Sequence, residues 1–215
     1  AYSCPDCSYG GKKFVPWEKE ELEKLIRHLT EEEPPPGGIS VLFTGGDPLL
    51  GFSGLTLLIK RLKEKFSDKI RFLISTPAGK LEEKKLAFIK ENRVKLLIDF
   101  YETRENLEKK IPGQKELLEK LRQKGILFAV VSRVCRPEDL KPWLEFFLKA
   151  GVEQIKFELV PEGPGQWVEF ARSYLELTDR VILHYRQTGL PVHLYDLKFW
   201  VEKILNRVSS SPCYF

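Results

Sequence analysis

From residue 39 onward, short apolar runs alternate with segments of helical period, and this alternation leaves the chain very few folds to adopt. Residues 39–44, 70–75, 94–99, 126–131 and 154–160 are short and apolar, bounded by turn formers, and predict buried strands. Between them Leu55, Leu58, Ile59, Leu62 and Phe66 fall on one helical face. Helices are expected at 81–91, at 114–124, along the stripe Leu140, Trp143, Leu144, Phe147 and Leu148, and at 166–188. Gly125 and Gly151 stand where two of these helices should stop. An earlier helix carries Leu22, Leu25, Ile26 and Leu29 and ends before Glu33-Pro-Pro-Pro-Gly-Gly. Residues 191–195 form a last short apolar stretch, followed by a helical segment and the tail at 209–215. Repeated strand-helix units argue a parallel sheet wrapped by helices. Because crossovers are right-handed, such a sheet either winds open or curls toward a barrel, with chemistry at the carboxyl ends of its strands. The first helix has no strand ahead of it, so a strand upstream of Ala1 is expected.

No linker interrupts the pattern, and residues 1–215 are expected to form a single domain. With 42% hydrophobic and 31% charged residues the balance is globular, and no run approaches the roughly 18 continuous apolar residues of a membrane span. No signal peptide is visible, which points to a cytoplasmic protein. The net charge of +4 comes from interleaved acids and bases, so no basic block suggests nucleic acid. The chain lacks methionine and starts with Ala1, so either an initiator was removed or the sequence is a piece of a longer one.

Two short elements could carry chemistry. Cys4 and Cys7 form a C-x-x-C pair in a loop. Half of a zinc site, a redox dithiol and a coincidence are all open, but no second pair completes a zinc site and a Gly-Gly and a basic stretch follow where a redox dithiol would open a helix, so alone the pair assigns no function. Thr44-Gly45-Gly46-Asp47-Pro48-Leu49 follows a strand: two glycines permit a sharp turn and a ligand close to the amides, and the carboxylate can accept from an ammonium group. A plain strand-ending turn explains the same residues equally well. The remaining candidates are bland. His28 sits on a charged helix, His184 and His193 are isolated, Trp143 and Trp167 fit core stripes, and Cys135 suits a buried or strand-end thiol.

Taken together, the two elements resemble the radical S-adenosylmethionine (radical SAM) superfamily. That family carries C-x-x-x-C-x-x-C after its first strand and a G-G-E-P-like motif after its second. Cys4 and Cys7 match the second and third cysteines, and the first would fall immediately before Ala1. Phe43-Thr-Gly-Gly-Asp-Pro-Leu-Leu looks like the second-strand motif, and Ile74-Ser-Thr-Pro-Ala-Gly like the turn after strand three. Leu97-Ile-Asp-Phe, Val130-Val-Ser-Arg-Val and Phe157-Glu-Leu-Val-Pro-Glu-Gly are similar to the peptide- and protein-modifying branch, whose members often continue into a cysteine-rich SPASM or twitch extension. Cys213 is either the first ligand of such an extension or a free thiol. Asp47 stands for the usual Glu, Asp6 for a common aromatic, Leu97 for a frequent Ser, and Pro77-Ala78 for an Asn.

The resemblance implies an α/β fold, a partial (β/α)6 TIM-like barrel of parallel strands with the first strand missing. It implies a [4Fe–4S] cluster held by thiolates, including Cys4 and Cys7, and S-adenosylmethionine on the open iron. The implied activity is reductive cleavage of S-adenosylmethionine to a 5′-deoxyadenosyl radical that abstracts hydrogen, with a peptide or protein as one class of substrate. Gly45, Gly46 and Asp47 would receive the methionine ammonium, and Thr76 would contact the same ligand. Ser132 and Arg133 would hold its carboxylate or ribose, and Asp99 would face ribose or substrate. An electron donor such as flavodoxin or ferredoxin is the implied partner. The competing expectation is a barrel of the same shape that binds or scaffolds without catalysis.

Overall fold

The computed structural model describes residues 18–31, 33–77, 81–100, 104–160 and 166–195, with backbone alone for 104–112. Its elements are α1 (Lys19–Thr30), β1 (Ile39–Phe43), α2 (Phe52–Phe66), β2 (Ile70–Thr76), α3 (Glu83–Glu91), β3 (Lys95–Phe100) and α4 (Arg104–Gln123). There follow β4 (Phe128–Val134), α5 (Leu140–Lys149), β5 (Gln154–Leu159), α6 (Gln166–Thr188) and β6 (His193–Leu194). The sheet takes its strands in chain order, β1-β2-β3-β4-β5-β6. Among the described residues no helix is long and apolar enough to cross a membrane.

The chain divides into two compact units, one within residues 1–98 and 124–127, the other within 99–123 and 128–214. In the first unit β1 pairs parallel with β2 from Ile39↔Ile70 to Phe43↔Ile74, and β2 pairs parallel with β3 through Thr76↔Ile98. Alternation sets the faces of β2: Ile70, Phe72, Ile74 and Thr76 are buried, while Arg71 is exposed and Leu73 and Ser75 are half-buried. The α2 stripe expected from sequence is buried in full, from Leu55 to Phe66. On α1 only Leu22 and Ile26 are buried; Leu29, in the last turn, is 37% exposed and lies outside the core.

In the second unit β4 pairs parallel with β5 from Val130↔Ile155 to Val134↔Leu159, and β5 pairs with β6 at Gln154↔His193 and Ile155↔Leu194. Its core is aromatic. The Trp143 ring stacks on Phe147 at 5.3 Å between centroids, Phe100 meets Phe147 edge-on at 5.2 Å, and Phe147 meets Phe157 at 6.3 Å. Such pairs add to the large apolar area these rings remove from water. Trp167, expected in a core stripe, is 53% exposed. It occupies the first turn of α6, which buries Phe170 and Leu177 instead. Gly151 ends α5 with φ +68°, a conformation that calls for glycine; the Arg122 guanidinium lies where a Cβ would stand, but as the end of a flexible side chain it could move aside.

Candidate functional site

β1 ends at Phe43, and the chain then turns through Gly45 in a conformation (φ +111°) that L side chains rarely adopt. A Cβ placed at Gly45 or Gly46 would meet nothing within 4 Å, so both glycines border open space. Asp47 is extended (φ −92°, ψ 107°) and caps a short 3₁₀ turn, Pro48–Gly51. Its Oδ1 accepts the Leu49 backbone N–H at 3.1 Å, while its carbonyl accepts the Leu50 N–H at 3.0 Å. Pro48, which has no N–H to satisfy, suits the first position of that turn.

Asp47 has a second tie, 29 residues away in sequence. The Thr76 hydroxyl donates to the same Oδ1 at 2.9 Å. The register explains the meeting: β1 stops at Phe43, opposite Ile74, and β2 runs two residues further. Thr76 is wholly buried, on the face shared with Ile74 and Phe72. Among the described residues Asp47 Oδ2 has no hydrogen-bond partner. The loop thus offers one carboxylate oxygen beside two uncrowded glycines, a donor-accepting edge that fits a ligand ammonium group.

The second unit holds the other residues singled out from sequence. Asp99 lies near the end of β3 and is half-buried. Ser132 and Arg133 are neighbours on β4, so their side chains leave opposite faces of the strand. Ser132 shares the face of Val130 and Val134, is wholly buried, stands in register with Phe157, and its Oγ has no hydrogen-bond partner among the described residues. Arg133 stands in register with Glu158. Sequence reasoning passed over Glu158 and Lys156, whose Nζ lies 3.4 Å from Glu158 Oε1. The signal was present: Gln154, Lys156 and Glu158 alternate with Ile155 and Phe157, a polar period of two within a strand treated as buried throughout.

Cys4, Cys7 and Cys213 lie outside the described residues, as does Ala78. Cys135 follows the end of β4 and is an exposed free thiol. The described residues contain no group of three or more His, Cys, Asp and Glu placed to hold a metal ion.

Parallel strands in chain order, with a glycine-glycine-acid turn where β1 ends, define an α/β protein of the kind in which strand ends and their loops are the usual place for a ligand. The chain belongs to the radical SAM superfamily, whose sequence model matches residues 1–134. No curated protein matches. The structure is similar to that of native anSMEcpe with bound AdoMet and Kp18Cys peptide, with a TM-score of 0.76 at 18% identity, over 97% of this chain and 64% of that one. SuiB from Streptococcus suis gives a TM-score of 0.66 at 16% identity, over 97% of this chain and 50% of that one. The radical SAM enzyme coproporphyrinogen III oxidase (HemN) from Escherichia coli gives 0.55 at 15% identity, over 78% of this chain and 44% of that one. At these identities the likeness is one of fold: a partial TIM-like barrel. The chain spans less than two thirds of the length of each of these three structures.

Proposed function

We propose that the chain is the core of a radical SAM enzyme that acts on a peptide or protein. The observation that carries this reading is the turn after β1, where Gly45 and Gly46 border open space and Asp47 keeps one carboxylate oxygen without a partner among the described residues. In this reading Asp47 Oδ2 accepts the methionine ammonium and the glycine backbone lets it approach. Asp99 and Arg133 supply polar contacts to ribose, carboxylate or substrate, with Arg133 suited to bidentate pairing. Ser132 is a further polar candidate, on the buried face of β4. Cys4 and Cys7 provide two of three thiolates for a [4Fe–4S] cluster. When bound, that cluster supplies the electron that cleaves S-adenosylmethionine reductively, and the protein's part is to orient the ligand and exclude water. A peptide substrate is supported by the peptide and AdoMet held in the similar anSMEcpe structure. Flavodoxin or ferredoxin is the class of electron donor expected.

The test uses the protein expressed in its full natural reading frame and reconstituted anaerobically with iron and sulfide. A brown protein containing about four iron atoms per chain is expected, and it should bind S-adenosylmethionine. Asp47→Ala should spare the cluster and weaken that binding at least tenfold, the loss of a charge-assisted contact worth about 1.5–3 kcal/mol. A colourless protein favours a non-catalytic barrel, and an unchanged affinity removes Asp47 from the ligand site.

A further inference from the structure

We propose that Thr76 is a positioning residue for ligand binding, acting through Asp47 without touching the ligand. The inference rests on the role given to Asp47 above. Thr76 has no exposed surface, so a ligand reaches it only by displacing structure. A hydroxyl carries one proton, and a carboxylate can only accept, so the 2.9 Å contact commits the Thr76 proton to Asp47 Oδ1. The Leu49 N–H reaches that same oxygen at 3.1 Å. Two donors from two elements, a strand end and the start of a 3₁₀ turn, therefore hold one oxygen and define where the other must lie.

Asp47 has a short side chain and follows two glycines. Gly45 and Gly46 place no side chain against it: a Cβ at either position would touch nothing within 4 Å. The Leu49 N–H alone is a single contact from within the same turn, about which the carboxylate can still rotate. Thr76 adds the only described tie from Asp47's side chain to the sheet. Its β-branched side chain has few χ1 choices, and β2 is in register with β1 up to Ile74, two residues before it. A carboxylate locked in this way meets a cation without first losing rotamer freedom, which is how a supporting residue raises affinity.

The sheet-to-loop tie also changes how Asp in place of Glu is to be understood. A Glu carboxylate would stand one methylene further out and would have to fold back to receive Leu49 N–H and Thr76 Oγ1 at the same point. The shorter acid is matched to its two donors.

The experiment measures S-adenosylmethionine affinity of the reconstituted full-length protein by equilibrium dialysis, for wild type, Thr76→Val, Thr76→Ser, Asp47→Ala and the double variant Thr76→Val/Asp47→Ala. Thr76→Val should weaken binding about tenfold, the scale of one hydrogen bond to a charged group. Thr76→Ser, which keeps the hydroxyl, should stay within about threefold of wild type on the same scale. In the Asp47→Ala background Thr76→Val should change affinity by less than about twofold, because the effect passes through the carboxylate. A merely structural Thr76 would instead lower affinity by the same factor in both backgrounds, and that result overturns the proposal. So does wild-type affinity in Thr76→Val, or a Thr76→Ser variant as weak as Thr76→Val. If Thr76→Val does not fold, the Thr76→Ser rescue is replaced by Thr76→Ala against Thr76→Ser, judged by the same cycle. Absence of any binding by the wild-type protein with a full cluster overturns the Asp47 reading and this inference together, and is distinguishable because it appears before any substitution is made.

Discussion

Asp47 and Ser132 both sit near the carboxyl ends of parallel strands, yet their polar atoms are handled in opposite ways. Asp47 Oδ1 receives two donors, one from its own turn and one from β2. Ser132 Oγ, on a wholly buried residue where Asp47 is half-buried, receives none among the described residues. The first strand end is held by hydrogen bonds, whereas the second is lined by the buried Val130, Val134 and Phe157, the last packed on Phe147, which in turn stacks on Trp143. A buried hydroxyl without a partner costs stability, whereas a hydroxyl paired to a carboxylate contributes to it. Thr76 and Ser132, each a small hydroxylic residue near the end of a strand, are therefore expected to contribute to stability with opposite signs.

Removing the aromatic support should have the largest effect. Trp143→Ala is expected to destabilise the protein by about 3–5 kcal/mol, the usual cost of deleting a buried ring, read as a shift in the urea midpoint at unchanged slope. A loss under 1 kcal/mol would mean that the second strand end does not depend on its rings. Next comes the turn on the hydrogen-bonded side. Gly45→Ala should cost about 1–3 kcal/mol because φ +111° strains any L side chain, even though the new methyl would touch nothing. A neutral Gly45→Ala in the same urea titration would show that the turn can relax without its glycine. The smallest effect, and the one that separates the two regions best, is expected at Ser132. Ser132→Ala should leave stability unchanged or raise it by up to about 1 kcal/mol, since it deletes a polar atom with no described partner. A clear destabilisation in thermal unfolding would show that Ser132 has a partner after all and behaves like Thr76.

The faces of the strands were partly legible in the sequence. Val130 and Val134 flank Ser132 at a spacing of two, which by itself assigns the serine to their face and Arg133 to the other. The resemblance assigned Ser132 and Arg133 to one ligand, whereas neighbours on a strand send their side chains to opposite faces. Leu29 and Trp167 show the reverse difficulty. Each continues an apolar stripe, but both lie at helix ends, and a stripe does not say how far the neighbouring element extends to cover it. The Cys4–Cys7 pair lies outside the described residues, so its role remains where the resemblance put it.

Local chemistry determined the order of strands and helices, the stops at Gly125 and Gly151, and the turn at Gly45-Gly46-Asp47, because period and backbone preference act between near neighbours. Which donor meets Asp47, which hydroxyl goes without a partner, and which stripe residues stay wet were decided only by tertiary structure. Those outcomes depend on the register between β1 and β2 and on pairings such as Thr76 with Asp47, 29 residues apart, and no local pattern along the chain encodes such a distance.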